Sequence, residues 1–381
     1  MDLCLTEAQH EARERARRFA SDHIEPVAGD SDLRSHLPEG LVDAVCAAGW
    51  LGAALPATWG GAGMDPLAYG LVTEEIGKAC SSVRSLMTAH NMAAHALVRF
   101  GTDEQKARWL PDICSGKKIV AFALTEPEAG SAGKSISTVA EDRGTHYHVT
   151  GTKVWITAGL IADLYLVFAR DGDKPVALLV ERDRADFTVE PMTDTLGVRA
   201  AELARLRFER TEVPVSHRIG AVGSGIAFVA NAALDHGRFS IAWGAAGVIQ
   251  ACVDACLSYA TKRKQAGQAL TEFQLVRRQL TDMLLAHTTA RALCCRSAFF
   301  RMKGDPRAVM ETTLAKYHAA EAAVRVANDA VRLHGANGYS TAYPVERYLR
   351  DATVLEIIEG TREIHQVGLA AYALQRPYVE F

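Results

Sequence analysis

A chain of 381 residues is too long for a single compact core, so two or three domains are expected, and 49% hydrophobic with 23% charged residues is the balance of an ordinary globular protein. A formal net charge of -3, with no block of basic residues, gives no electrostatic reason to expect nucleic acid as a partner. The opening MDLCLTEAQHEARERARR is charged almost at once, and no stretch approaches the roughly 20 apolar residues that cross a bilayer, so a cytoplasmic protein with no membrane partner is expected.

The first hundred-odd residues have the helical period. Thr6 to Gln9 is a capping-box pattern opening an amphipathic run to about Ile24. Residues 41–51, 66–80 and 85–100 repeat the period, separated by turn-rich pieces such as WGGAGMDP. Near Lys118 the character changes. KIVAFALT, THYHVTGTKVWIT, LYLVFAR, KPVALLVE and RLRFERTEVP are short β-rich runs broken by Gly, Asp and Pro, the pattern of an antiparallel β domain. Helical sequence returns at Ser224, with helices expected at 235–264, 271–302, 305–333 and one from Thr361. The predicted domains are therefore 1–117 (helical), 118–223 (β) and 224–381 (helical).

The eight cysteines (Cys4, Cys46, Cys80, Cys114, Cys252, Cys256, Cys294 and Cys295) lie mostly in apolar, helix-like sequence. Cys252 and Cys256 are one helical turn apart, but no His or acidic partner recurs at ligand spacing, so neither a metal nor a disulfide is expected.

Chemistry concentrates in three places. The segment HGANGYSTAYPVERYLRDATVLEIIEGTREIHQ joins two helices and ends in Glu359-Gly360-Thr361, a carboxylate just ahead of a helix start and its free backbone N–H groups. By itself this favours the plainer reading, in which Glu359 and Thr361 cap the last helix. Leu124-Thr125-Glu126-Pro127-Glu128-Ala129-Gly130-Ser131 lies where the helical part gives way to β sequence, and its Gly-Ser turn suits a pyrophosphate. Trp155-Ile156-Thr157 ends a strand and offers an indole face and a hydroxyl to a flat heteroaromatic ring.

In this order and spacing the three segments resemble the acyl-CoA dehydrogenase family over essentially the whole chain. The resemblance implies an N-terminal helical domain, a middle antiparallel β domain and a C-terminal four-helix domain, with FAD as cofactor. It makes Glu359 the base that removes the α-proton of an acyl thioester while the β-hydride passes to flavin N5. Thr125 and Thr157 become partners of the isoalloxazine ring, Trp155 its neighbour and Ser131 a pyrophosphate contact. Phe122, Leu124, Gly130, Gly335 and Thr361 complete the cofactor set. Arg263, Gln265 and Gln274 match the stretch by which a neighbouring subunit reaches the FAD, which implies a homodimer or homotetramer. Some family members carry the base on the helix containing Asp235; here that position is Gly237. The chain departs from the pattern at Ala132 (usually Asp), Ala266 (usually aromatic), Arg332 (usually Gln) and Ala336 (usually Gly).

The substrate group is expected to involve Thr88, His90 and Asn91, polar residues where the family's acyl pocket begins, together with Arg238 and Gly360. That helix, with GRFSIAWGAAGVIQAC and EIIEGTREI, is most similar to the branch acting on small polar acyl groups tethered to an acyl carrier protein, which supplies extender units to polyketide assembly. A short-chain acyl-CoA dehydrogenase of catabolism, and a catalytically silent scaffold, are the alternatives. Electron-transfer flavoprotein is the family's usual electron acceptor, and oxygen is the other.

Overall fold

The computed structural model describes residues 4–130, 136–183 and 186–375. Thr6 caps the first helix as expected, its hydroxyl accepting from Gln9 N while Gln9 Oε1 accepts from Thr6 N. This helix, α1 (Glu7–Phe19), runs through a π turn (Ala20–Ile24) into α2 (Glu25–Arg34). The helical path thus goes well past Ile24. Pro26 falls in the first turn of α2, directly after the π turn. Helices α3 (Leu41–Ala47), α4 (Pro66–Ala79), α5 (Ser81–Phe100) and α6 (Asp103–Cys114) complete this block.

Among the described residues the sheet that follows has seven strands: β1 (Val120–Ala123), β2 (Val139–Asp142), β3 (His146–Ile156), β4 (Leu164–Asp171), β5 (Lys174–Glu181), β6 (Phe187–Pro191) and β7 (Ala204–Pro214). Their order is β1-β4-β2-β3-β7-β6, with β5 paired to β4. The pairings are antiparallel except where β4 meets β1 and the end of β2. Strands β2 and β6 are too short for their alternation to register in the sequence.

The last block holds α7 (Asn231–Lys262), a small hairpin of β8 (Lys264–Gln265) and β9 (Gln268–Ala269), then α8 (Gln274–Met302), α9 (Ala308–His334), α10 (Val345–Ile357) and α11 (Arg362–Gln375). The span Gly225–Lys262 is long and apolar enough to cross a membrane by length and composition, contrary to the expectation that no such stretch exists. Its apolarity has another cause: 78% of its most apolar window is buried, because α7 is the central helix against which α4, α5, α8, α9 and α10 pack.

Helix α10 lies inside the segment that the sequence shows only as a link between two helices. Its charges bind neighbouring blocks together. Arg350 donates to Asp32 of α2 at 2.5 and 2.9 Å and to Glu346 at 2.8 Å, while buried Asp351 accepts from Val198 N at 2.6 Å. The chain that leaves α10 toward Glu359 is therefore anchored on the other two blocks.

Candidate active site

Between α10 and α11 the backbone turns through Glu359 (φ +59°) and Gly360 (φ +104°). A left-handed conformation at a non-glycine residue is costly and needs support from its surroundings. Support comes from two cations. Arg238 Nε donates to the Glu359 carbonyl at 3.0 Å, and Nζ of buried Lys316 donates to the Gly360 carbonyl at 2.7 Å. Capping of α11 falls to Thr361, whose hydroxyl accepts from Ile364 N at 3.4 Å. The Glu359 carboxylate does not serve as the cap. Its Oε2 is buried and has no hydrogen-bond partner among the described residues. Burial pushes its pKa up to about 7, against the pull of Arg238, Lys316 and Arg84.

The carboxylate lies over α7. Gly237, Ser240 and Gly244 share one face of that helix by their spacing. A Cβ at Gly237 would sit 2.7 Å from Glu359 Oε2 and 2.7 Å from Met92 Sδ, so the absent side chain is what makes room for the acid. Two turns on, a Cβ at Gly244 would sit 2.8 Å from Arg84 Cδ and 2.9 Å from its Nε. Arg84 is buried on α5, and its guanidinium donates to neutral hydroxyls, Ser85 at 2.9 Å and Thr88 at 3.3 Å. Burial brings Arg84 down to about 10, with Asp351 and Glu359 opposing the shift. Thr88 donates to Arg84 O at 2.8 Å, so in its 2.6 Å contact with Ser240 the serine is the donor. One face of α7 thus runs from the buried Oε2 of Glu359, past a hydroxyl pair, to a buried cation. Gly237 and Gly244 are about 10 Å apart at 1.5 Å per residue.

Of the residues expected to meet substrate, Thr88 reaches Ser240 of this face from α5, whereas Arg238 projects about 100° round α7 from Gly237 and is engaged by the Glu359 carbonyl. Asn91 donates to Met87 O at 2.9 Å and keeps a buried, unpartnered Oδ1. His90 requires correction. Its Nδ1 accepts from Val120 N at 3.3 Å, so Nε2 carries the proton and donates to Ile113 O at 3.1 Å. Both nitrogens are engaged by backbone, and burial lowers the ring to about 4, which keeps it neutral. His90 ties α5 to α6 and β1 and is not available to a ligand. Arg84, Ser240 and Lys316 did not stand out in the sequence. Their signal is a lone polar or charged residue inside an otherwise small or apolar helical run.

The segments read as cofactor-binding meet through backbone bonds. Val154 N donates to Thr125 O at 3.0 Å, and Lys153 Nζ donates to Leu124 O at 3.0 Å and to Glu126 Oε1 at 2.8 Å. Lys153 and Glu126 are fully enclosed, and Glu126 also accepts from Ser137 N and Thr138 N. Burial alone would raise Glu126; Lys153 and these donors bring it down to about 2. The buried pair fixes the turn beside the strand end that carries Trp155 and Thr157. Phe122 packs on Phe168, ring centroids 5.0 Å apart. Trp155 has φ +60° and is 53% exposed, an unusual position for an indole, and Thr157 is half-buried beside it. An uncovered aromatic face next to two threonines fits a flat ring system such as the isoalloxazine of FAD. A Cβ on Gly130 would meet nothing among the described residues, and Ser131 and Ala132 lie outside them.

Arg263, Gln265 and Gln274 are exposed around the β8–β9 hairpin, whose turn places Ala266 at φ +48° and Gly267 at φ +83°. Among the described residues no hydrogen bond joins them to the Thr125 or Trp155 segments of the same chain. Gly335 ends α9 at φ +60°, and Arg332 is exposed, 3.9 Å from Asp329.

Three family models cover nearly all of the chain: the acyl-CoA dehydrogenase N-terminal domain over residues 6–117, the middle domain over 121–211 and the C-terminal domain over 223–374. The short-chain specific acyl-CoA dehydrogenase of Clostridium acetobutylicum is 36% identical, with 97% of this chain and 99% of that protein aligned. Butyryl-CoA dehydrogenase from Megasphaera elsdenii superposes with a TM-score of 0.95 at 32% identity, over 98% of this chain and all of that one. Two other solved structures are similar. The prolyl acyl carrier protein oxidase AnaB has a TM-score of 0.92 at 31% identity, covering 97% of this chain and 99% of its own. FkbI, described as serving biosynthesis of a methoxymalonyl extender unit, has a TM-score of 0.88 at 33% identity, covering 95% and 99%. Family models that span the chain, set on the fold described above, make this protein a member of the acyl-CoA dehydrogenase family, a FAD-dependent oxidoreductase acting on CH–CH groups.

Proposed function

We propose that the protein dehydrogenates a short, polar acyl thioester and that Glu359 removes its α-proton. The observation that carries this reading is Glu359 Oε2, buried over Gly237 without a partner among the described residues, with the acid raised to about 7. A proton acceptor works best when its pKa lies near the operating pH, and burial brings this one there. Arg238 and Lys316 hold the turn so that the side chain projects to one place. Apolar Met92 and the α7 backbone wall one side of it. When bound, FAD supplies the hydride acceptor, and Phe122, Leu124, Thr125, Gly130, Trp155 and Thr157 would hold it, with Ser131 at the pyrophosphate. Arg263, Gln265 and Gln274 would reach the FAD of a neighbouring subunit. Exposed Leu275, Leu284 and Leu285 on α8 and Val367 and Leu374 on α11 favour such an assembly, a dimer or tetramer.

The polar face of α7 supports the substrate class. Ser240 lies about 5 Å along the axis from Gly237, the reach of a short acyl group. There a substrate oxygen would have Ser240, Thr88 and the Arg84 guanidinium as polar neighbours, which a saturated fatty chain could not use. The likeness to AnaB and FkbI favours an acyl carrier protein as the thioester carrier. A second reading, a short-chain acyl-CoA substrate, is favoured by the Clostridium relative. Electron-transfer flavoprotein is the proposed acceptor. Flavin reduction by one β-oxygenated acyl group, presented on a carrier protein and on CoA, discriminates the two. Faster reduction from the carrier supports the first reading, and efficient turnover of butyryl-CoA supports the second.

A further inference from the structure

We propose that His146, His148 and Glu212 form a binding site for a divalent transition-metal ion on the sheet, of the two-histidine, one-carboxylate type that suits zinc. His146 and His148 alternate along β3 and so share a face of the sheet. Glu212 of β7 is the register partner of His148 and presents its carboxylate to the same face. The two Nε2 atoms are 3.1 Å apart, and Glu212 Oε1 lies 3.5 Å from the nitrogen of His148 and 3.8 Å from that of His146. A metal held by nitrogen and oxygen at ~2.0–2.2 Å in tetrahedral geometry sets its ligand atoms about 3.4 Å apart. The triangle already has that size. No sequence spacing announces it, because Glu212 reaches the histidines only through strand pairing.

The surroundings supply what a metal site needs. A cavity of about 330 Å³ opens beside it, lined by Arg108, His146, Glu181, Glu212, Ser216 and His217, with room for water at the remaining coordination position. The Thr145 hydroxyl, 3.1 Å from His146 Nδ1, can accept the proton that a metal-bound imidazole carries on its other nitrogen. At His148 the neighbour is opposed to a metal: Arg210 Nη2 donates to Nδ1 at 3.0 Å. That donor fixes the proton of His148 on Nε2, pointing at His146. Loading an ion therefore moves this proton to Nδ1, with no net change in protonation, and turns the exposed Arg210 side chain out to solvent. Arg210 acts as a brake on affinity.

The site stands apart from the acyl chemistry. His146 is nine residues along β3 from Trp155, roughly 30 Å for an extended strand. Neither the dehydrogenase reading nor its failure bears on it.

The test uses the full-length, tag-free holoenzyme, freed of metal by chelation and titrated with zinc by calorimetry, with bound metal counted by mass spectrometry. The proposal expects one zinc per chain, weakened about tenfold or more by His146→Ala, His148→Ala or Glu212→Gln, and tightened by Arg210→Gln. Unchanged FAD absorbance serves as the control for folding. Zinc that still binds with unaltered stoichiometry and affinity in the ligand variants overturns the proposal, as does zinc lost on alkylating the cysteines in the wild type. Weaker binding by Arg210→Gln overturns the brake.

Discussion

A β-carbon on Gly237 would lie 2.7 Å from Glu359 Oε2, well inside contact distance. The backbone of α7 is in this sense a wall of the pocket that houses the acid, and the missing side chain at position 237 gives it its seat. Gly237→Ala should therefore displace the carboxylate while leaving the helix intact. A misplacement of about 1 Å costs on the order of 10²-fold in rate. Stopped-flow flavin reduction should fall by about that much with FAD content unchanged. A normal rate would mean that the carboxylate can act from elsewhere.

Lys316 touches the turn and not the acid: its ammonium donates to the Gly360 carbonyl, and its charge pulls down the Glu359 pKa. Lys316→Met removes both effects. The orphaned carbonyl should cost about 1–3 kcal/mol of stability. The rise of flavin reduction with pH should move upward from about 7, because a cation that favoured the ionised acid is gone. Lys316→Arg should restore much of the profile. A pH profile that stays in place would reduce Lys316 to a structural contact.

Arg84 offers a test of the acyl group. Its guanidinium is buried against hydroxyls, so Arg84→Leu removes a costly burial and should be neutral or stabilising. The polar acyl thioester should lose about 10–100-fold in kcat/KM, with butyryl thioesters much less affected. Equal losses on both substrates would remove Arg84 from recognition.

Much of this was legible in the sequence. The order of helical, β and helical segments, and the Glu-Gly-Thr, Leu-Thr-Glu-Pro and Trp-Ile-Thr segments, are local patterns that survive without coordinates. What was not legible depends on partners distant in the chain. His90 looks like a pocket residue until Val120 and Ile113 engage both its nitrogens. Arg84 becomes informative only when Gly244 gives it space, and Lys153 only when Glu126 meets it in the core. Helix α10 hid behind charges whose partners, such as Asp32, lie on the first block.

Glu359 also leaves a signature in stability. Its folded pKa of about 7 lies above the roughly 4.3 of a free glutamate, so the folded state binds the proton more tightly than the unfolded state. Stability should fall as pH rises between those values and level off above them. At ~1.4 kcal/mol per pH unit, holding the acid ionised costs on the order of 3 kcal/mol at pH 8. Glu359→Gln should therefore raise the denaturation midpoint at pH 8 and leave it nearly unchanged at pH 4. Destabilisation at both pH values would be the mark of a helix cap.

The central claim is that Glu359 takes the α-proton, and the most direct measurement is flavin reduction by Glu359→Gln in single turnover, using the acyl thioester that reduces the wild-type flavin fastest. The variant keeps the size and hydrogen-bonding capacity of the side chain and loses only the base. Its FAD content and fold should match the wild type, while the reduction rate falls by about 10²–10⁴-fold or more. A variant that binds FAD and is reduced at a near-normal rate would contradict the account.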